Sequence, residues 1–124
     1  MLVAGFSLVQ SVSATTEEDL LLTINNPTPE IDDRFGFSVA TTPDGNLLIG
    51  AFADNTVGNG AGSAYLFDGT TGAVLLTIDN PTPATGDLFS ESVASTPDGN
   101  IIVGAQGDNI GVAQTGSAYI FSTD

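Results

Sequence analysis

The chain has 124 residues and a formal net charge of −14, because 15 acidic residues face a single basic residue, Arg34. The sequence contains no Lys, His or Cys. This composition excludes binding to nucleic acid through phosphate contacts and attraction to an anionic membrane surface, since both need clustered cations. It also excludes disulfides and thiolate metal sites, and the length suits one small domain.

The chain begins with an apolar segment, MLVAGFSLVQSVSA, at residues 1–14. This segment is shorter than the roughly 20 apolar residues of a transmembrane helix, so no membrane insertion is expected. We expect an ordered strand, because Val9–Ala14 aligns with the strand-like Ser63–Asp68, 54 residues later. The alternative is a secretory leader, in which Ser13 and Ala14 resemble a cleavage site although a basic start is missing.

Two copies of one unit follow this N-terminal region of residues 1–16. The first copy spans residues 17–70 and the second 71–124, with no insertion or deletion and about half of the aligned positions identical. Short apolar runs between turn residues predict four strands in each copy, and no stretch has convincing helical periodicity. The strands are predicted at 20–24, 35–41, 46–52 and 62–67, and again at 74–78, 89–95, 100–106 and 116–121.

The turns and apolar patterns of each copy indicate how these strands pair. Thr-Pro-Asp-Gly, at residues 42–45 and 96–99, predicts a tight hairpin, because Pro sets φ and Gly takes the left-handed conformation. The third strand, LLIGA or IIVGA, is apolar on both faces and is predicted to be the most buried. The fourth strand alternates, with Ala64 and Leu66 on one face and Tyr65 and Phe67 on the other.

Four antiparallel strands in each 54-residue copy are typical of a β-propeller blade. The predicted fold is therefore all-β. It consists of two four-stranded antiparallel propeller-type blades, which form a partial propeller, and an N-terminal strand.

Four submotifs resemble the FG-GAP repeat: Phe35-Gly36, Ser38-Val39-Ala40, Leu48-Ile49-Gly50-Ala51 and GSAYLF at residues 62–67. They recur at the same spacing in the second copy, and the resemblance covers nearly all of residues 20–124. The FG-GAP repeat is the blade unit of the integrin α-subunit propeller and of many bacterial extracellular proteins. The resemblance, which is strongest to the bacterial forms, implies a propeller-type protein at an extracellular or cell-surface location.

The chain departs from the family pattern at several positions. Ser90 in the second copy stands where the family has Gly, and Phe52 and Gln106 stand where it has Pro. The family's calcium loop, D-x-D-x-D-G-x-x-D, would lie between the second and third strands, but this chain has only Thr-Pro-Asp-Gly-Asn there. Calcium takes about six to eight oxygen ligands. Asp44 and Asp98 are therefore interpreted as turn formers, and no cofactor is expected at this loop.

Carboxylates concentrate before the first predicted strand, after the Pro-Thr-Pro segment, and after the third strand of each copy. They are Glu17, Glu18 and Asp19; Glu30, Asp32 and Asp33, with Asp87 as the counterpart of Asp33; and Asp54 and Asp108. Arg34 is expected to pair with a neighbouring carboxylate in a surface bridge worth about 0–1 kcal/mol. A carboxylate pair can serve a glycosidase, but the other usual bases and nucleophiles are absent apart from Ser and Thr. We therefore predict no catalytic residue and no enzymatic activity.

A weak cation site is one hypothesis for the third carboxylate group. Asp54 and Asp108 occupy equivalent positions, and the Asn55 and Asn109 that follow them add carbonyl oxygens. Repeated carboxylates of this kind suit calcium at a blade edge. The preferred interpretation is that these residues form Asx turns at the strand ends.

Two blades are fewer than the roughly four to eight of a closed propeller. Their uncovered apolar faces predict that copies of the chain associate, either as a closed ring or as a filament. The N-terminal strand is the predicted connector, because it can add to a neighbour's blade. Its assembly residues are Leu2, Val3, Phe6, Leu8, Val9 and Val12.

The predicted function is that of a structural, self-assembling extracellular protein, with copies of itself as partners. One alternative is an adhesin or glycan-binding module that recognises cell-surface glycans or proteins. Others are a fragment of a longer propeller protein and a hydrolase that uses carboxylates alone. Particle size separates the first hypothesis from the rest, glycan binding tests the second, and loss of activity on changing an acidic pair tests the hydrolase.

Overall fold

A computed structural model describes residues 17–124, in which every regular element is a β-strand. The strands are β1 Phe35–Thr41, β2 Leu47–Ala51, β3 Ser63–Phe67, β4 Val74–Asp79, β5 Phe89–Ser95, β6 Ile101–Ala105 and β7 Ser117–Phe121. Each lies within one residue of a predicted strand, so the all-β class is confirmed. The strand predicted for residues 1–16, with all of its assembly residues, lies outside the described residues.

The strands form two antiparallel sheets whose boundaries differ from those of the sequence repeat. Sheet 1 has the order β1-β2-β3-β4, and sheet 2 has the order β5-β6-β7. β4 belongs to the second sequence copy, yet it pairs with β3 of the first, with Tyr65 opposite Thr77 and Leu66 opposite Leu76. The structural unit is therefore shifted along the chain relative to the 17–70 and 71–124 copies.

The prediction of a strand at Leu20–Ile24 is wrong, because residues 17–26 have no regular secondary structure. This segment is the first-copy equivalent of β4, and β4 is a strand only because β3 of the preceding copy lies beside it. The residues equivalent to β3 one repeat earlier are 9–13, and they lie outside the described residues. Sheet 2 accordingly has three strands in the described part of the chain, not the four expected.

Local turn chemistry produces the hairpins as predicted. In the first hairpin the Gly45 amide donates to the Thr42 carbonyl at 3.0 Å, and the Asn46 amide donates to Thr42 Oγ1 at 3.1 Å. Gly45 has φ of 86° and its counterpart Gly99 has φ of 88°, a left-handed conformation that glycine adopts without strain. A register shift lies between Phe35 and Ser38 in β1, and the same shift recurs in β5.

The two sheets stack face to face around one apolar core. Sheet 1 contributes Leu48, Ala64, Leu66 and Ile78, and sheet 2 contributes Phe89, Ile101, Val103 and Ala105. The opposite face of sheet 1 carries Ile49, Ala51, Tyr65 and Phe67 in a second cluster. The predicted alternation of Ala64 and Leu66 against Tyr65 and Phe67 is confirmed.

The burial ranking of the strands differs from the prediction in sheet 1. All five residues of β3 are buried, whereas β2 has one half-buried residue at Leu47. Both β2 and β3 lie between two strands and contribute to both apolar clusters, so the two strands differ only at Leu47, the first residue of β2.

Candidate functional site: the joint between the sheets

The joint between the two sheets is centred on Ser90, a fully buried residue of β5. Its φ of 75° lies in the left-handed region, like the φ of 88° at its counterpart Gly36. The Ser90 hydroxyl donates to the Ser63 carbonyl at 2.6 Å and accepts from the Ala51 amide at 3.1 Å. The departure from the family's Phe-Gly therefore supplies a hydroxyl that joins β5 to both β2 and β3.

Two glycines allow this close approach, Gly50 in β2 and Gly62 directly before β3. A Cβ atom at Gly50 would lie 2.3 Å from both the Ser90 carbonyl oxygen and Ser38 Oγ. The Ser38 hydroxyl in turn donates to the Ser90 carbonyl at 2.7 Å. A Cβ atom at Gly62 would lie 2.1 Å from the Phe89 carbonyl oxygen. Backbone thus packs on backbone at the joint, which explains why glycine stands at these two positions.

The surface that sheet 1 contributes to this joint has an equivalent on sheet 2, and that equivalent surface is not covered. Ala64 and Leu66, which sheet 2 covers, are 0% and 5% exposed. Their counterparts Ala118 and Ile120 are both exposed, and Ile120 is 68% exposed. We call the face formed by Ile102, Ala118 and Ile120 the open face of sheet 2. The same surface is therefore buried in one copy and exposed to solvent in the other.

The surface that β5 contributes to the joint has an equivalent on β1, and that equivalent surface is not covered either. Phe89 and Ser90 are fully buried against sheet 1. Their counterparts Phe35 and Gly36 are half-buried and exposed, respectively. The described residues therefore contain one complete joint and two separate halves of a second one.

A strand edge accompanies the open face. β7 pairs with β6 on one side, and no described strand pairs with its other side, where β3 has β4. The first-copy equivalent of β4 is Leu20–Asn25, in which Leu20 and Leu21 are 83% and 91% exposed. Ile24 in this segment packs against the second cluster of sheet 1, as its counterpart Ile78 packs against sheet 2.

Carboxylates hold the loops at one end of each sheet. Asp33 Oδ2 accepts from the Asn26 side chain and from the Glu30 amide, both at 2.7 Å. Asp87 makes the same two contacts in the second copy, with Asn80 and Ala84, at 2.8 Å each. These buried residues fix the turn that precedes β1 and β5.

The carboxylates after β2 and β6 each bind a tyrosine of the neighbouring strand. The Tyr65 hydroxyl donates to Asp54 Oδ2 at 2.6 Å, and Tyr119 donates to Asp108 in the second copy. Burial, followed by the hydrogen bond to Asp54, raises the pKa of Tyr65 to about 12. The hydrogen bond to Asp108 raises the pKa of Tyr119, and the same bond lowers the pKa of Asp108.

Three of the four residues considered for a weak cation site accept hydrogen bonds within their own loops. Asp54 is fully buried and its Oδ1 accepts from the Thr56 amide and hydroxyl, at 2.8 and 2.6 Å. The Asn55 side-chain oxygen accepts from the Gly60 amide at 2.7 Å, and Asn109 makes the matching bond to Gln114. The Asn oxygens therefore close the loops. The structure instead places Asp54 beside Glu30 and Asp33, with one oxygen of each within 4.8 Å of the others.

The structure shows the contacts of Arg34 and of the two residues that replace the family's Pro. Arg34 lies 3.9 Å from Asp32, and both side chains are more than half exposed, so the predicted surface bridge is confirmed. Phe52 and Gln106, which replace the family's Pro, each have a partner across the strand pair. Phe52 packs on Phe37 with ring centroids 4.7 Å apart, and Gln106 donates to Glu91 at 2.6 Å. Sequence reasoning missed these pairs because each joins residues 15 apart in the chain.

The paired sheets, the glycine approach points and the repeated Phe-x-x-Ser bulge define a protein built from blade-like β-sheet repeats. The family model of the FG-GAP repeat matches residues 29–67 and 81–121, and the chain belongs to the FG-GAP repeat family. No curated protein matches the chain in a sequence search. FG-GAP repeats form β-propeller-type modules, are generally non-catalytic and are typical of extracellular proteins. Among the described residues, no helix has the length and hydropathy to cross a membrane.

Proposed function

We propose that this protein is a non-catalytic, extracellular structural protein whose copies associate head to tail by blade stacking. The observation that carries the proposal is the contrast between Leu66 and Ile120, which are equivalent residues with 5% and 68% exposure. In the complete joint, the face that carries Leu66 is covered by β5 with Phe89 and its bulge. The equivalent face at Ile120 therefore requires a strand of the same kind. A second copy of this chain offers that strand as β1.

The two uncovered halves are complementary because they derive from the same interface. In the template, Phe89 packs among Leu48, Leu66 and Ile78. In the proposed contact, Phe35 of one copy packs against Ile102 and Ile120 of another. Complete burial of one such side chain contributes about 1.5–3 kcal/mol, so a few of them drive association.

Strand addition completes the same contact. In register with the β3–β4 pair, Leu20–Asn25 of one copy lies beside β7 of the other, with Thr23 opposite Tyr119 and Leu22 opposite Ile120. The edge of β7 and the segment Leu20–Asn25 then form backbone hydrogen bonds with each other, and the exposed Leu side chains of the segment pack on an apolar surface. This assigns the connector role to Leu20–Asn25, next to the N-terminal region that the sequence pattern favoured.

The proposed contact joins two different surfaces, so it is heterologous. Heterologous contacts either close into a ring or continue as a filament, depending on the rotation between copies. Closure at about four to eight sheets would give a propeller made of several chains. The net charge of −14 limits non-specific association, because identical chains repel wherever the specific contact does not form.

The experiment is sedimentation of the purified chain over a wide concentration range, with electron microscopy of any assemblies. We expect concentration-dependent assembly in the unmodified chain. Ile120→Glu places a carboxylate in the proposed contact and is expected to weaken association at least about tenfold, which corresponds to about 1.4 kcal/mol. A chain that stays monomeric at all concentrations overturns the proposal.

Leu75→Glu is the matched control. Leu75 is a 49% exposed residue of β4, on a strand that is already part of sheet 1, and its substitution adds the same charge. We expect Leu75→Glu to leave assembly unchanged. Equal effects of the two substitutions would mean that charge alone, not the open face of sheet 2, controls association.

A further inference from the structure

The turn before β1 contains a buried carboxylate oxygen without a hydrogen-bond donor. Asp33 is 3% exposed, and its Oδ2 already accepts two hydrogen bonds. Its Oδ1 is buried and has no partner among the described residues. A buried polar atom without a partner costs about 1–3 kcal/mol, so a ligand that satisfies it is favoured.

Besides the missing hydrogen bond at Asp33 Oδ1, two further carboxylates close to Asp33 concentrate negative charge around it. One oxygen each from Glu30, Asp33 and Asp54 lies within 4.8 Å of the other two. Asp54 is fully buried, and Glu30 is exposed, which leaves the cluster accessible from solvent. The Ala53 amide donates to the Asp33 carbonyl at 3.2 Å, so the turn and the loop after β2 are held together.

Within residues 17–124, no basic side chain pairs with these three carboxylates. Arg34 is the only basic side chain of the whole sequence, and the chain has no His. Within the described structure its guanidinium lies beside the exposed Asp32, at 3.9 Å. Buried carboxylates are normally paired with a cation or bound to a metal ion.

We propose that Glu30, Asp33 and Asp54 bind a divalent cation of the calcium type. Asp33 Oδ1 is the oxygen with free lone pairs, Glu30 closes the site from the solvent side, and Asp54 supplies the second buried charge. Three carboxylates without nitrogen or sulfur ligands match a hard cation, and water completes its coordination. The site lies outside the Thr-Pro-Asp-Gly hairpins at residues 42–45 and 96–99.

The second copy provides an internal control for the site. Asp87 repeats the buried geometry of Asp33, and its Oδ1 also has no partner among the described residues. Asp108 is the counterpart of Asp54, but Ala84 replaces Glu30. The second copy therefore has two of the three carboxylates, and we expect it to bind the cation at least about tenfold more weakly.

Calcium titration by calorimetry at physiological salt tests the proposal. We expect one saturable site per chain with an affinity in about the 10⁻⁵–10⁻³ M range. Terbium is a second probe, because Tyr65 donates to Asp54 at 2.6 Å and can sensitise terbium emission from this site. Absence of a saturable site for both ions overturns the proposal.

Two reciprocal substitutions locate the site. Glu30→Ala reproduces the second copy and is expected to weaken binding at least about tenfold, since one of three charged ligands is lost. Ala84→Glu is expected to create a second site and double the stoichiometry. Glu17→Ala, which removes an exposed carboxylate at the start of the first copy, is the charge control. Equal binding by the unmodified chain and Glu30→Ala would show that the ion binds elsewhere.

Discussion

The Ser90 hydroxyl donates a 2.6 Å hydrogen bond to the carbonyl of Ser63, across the joint between the two sheets. The same hydroxyl accepts from the Ala51 amide at 3.1 Å, so one side-chain oxygen contacts two strands of sheet 1. The equivalent residue of the first copy is Gly36, which has no side chain with which to make such bonds. At this position the second copy therefore has a serine that bonds across the joint, where the first copy has a glycine that adopts positive φ without strain.

We expect Ser90→Ala to lower the free energy of unfolding by about 2–3 kcal/mol. The substitution removes two hydrogen bonds worth about 1 kcal/mol each and leaves buried backbone groups without partners. Ser90→Gly removes the same bonds but tolerates the φ of 75° at this position. It is therefore expected to cost about 1 kcal/mol less than Ser90→Ala. Urea unfolding of the three chains measures both differences, and equal stability of Ser90→Ala and the unmodified chain would contradict this role.

Gly62→Ala is expected to destabilise the protein by at least about 3 kcal/mol. The new Cβ would lie 2.1 Å from the Phe89 carbonyl oxygen, and φ at Gly62 is 90°. Gly58→Ala, in the same loop, is the control, because its Cβ would meet only Ala61 and Pro83 side chains at 3.4 and 3.9 Å. We expect a change within about 0.5 kcal/mol for Gly58→Ala. Thermal unfolding monitored by circular dichroism compares them, and similar losses would refute the close approach at Gly62.

Alkaline unfolding follows from the pKa of Tyr65. Burial and the bond to Asp54 raise this pKa to about 12 from 10.0. The neutral phenol is therefore favoured in the folded state, and its stabilising contribution is complete below pH 10 and lost as pH rises toward 12. The loss is on the order of 2 kcal/mol. Chemical unfolding at several pH values from 8 to about 12 measures it.

Tyr65→Phe separates this effect from general alkaline repulsion. The variant lacks the ionisable group, so we expect a shallower fall in stability over the same pH window. It is also expected to be less stable at neutral pH by about 1–3 kcal/mol, because Asp54 Oδ2 loses its donor. An unchanged slope in Tyr65→Phe would assign the alkaline transition to another group, of which Tyr119 is the first candidate.

The donor segment of the proposed assembly can be tested by removing one backbone donor. Thr23→Pro takes away an amide hydrogen and restricts φ, so Leu20–Asn25 could no longer pair regularly with β7. We expect association to weaken at least about tenfold while each chain stays folded, because residues 17–26 form no strand in the described structure. Thr23→Val keeps the amide and is expected to assemble normally. Normal assembly by Thr23→Pro would remove Leu20–Asn25 from the contact and leave only the stacking of faces.

Much of the local structure could be read from the chain alone. The Thr-Pro-Asp-Gly turns, the two-residue alternation around Tyr65 and the spacing of the FG-GAP submotifs depend on near neighbours in sequence. These interactions recur identically in both copies, so they predicted seven strands to within one residue. The Arg34 bridge was predictable for the same reason, since its carboxylates are adjacent to it.

The long-range arrangement could not be read in this way. The segments LLLTI and VLLTI are nearly identical, yet only the second forms a strand, because only it has β3 beside it. Similarly, the sequence separates Glu30 and Asp33 from Asp54 by a hairpin, and only the pairing of β1 with β2 brings them together. The sequence Phe-Ser at residues 89–90 also gives no sign that the Ser90 hydroxyl bonds to two strands of the other sheet.

The amino-acid sequence by itself determined the repeat, the strands, the turns and the acidic charge of this protein, because these follow from local backbone preference and composition. Only the tertiary structure decided which strands share a sheet, which equivalent faces are covered, and which carboxylates are buried together. Those outcomes depend on what lies next to each element in space. Leu66 and Ile120 illustrate the distinction, since these equivalent positions differ in exposure because Leu66 has both a covering sheet and β4 beside it.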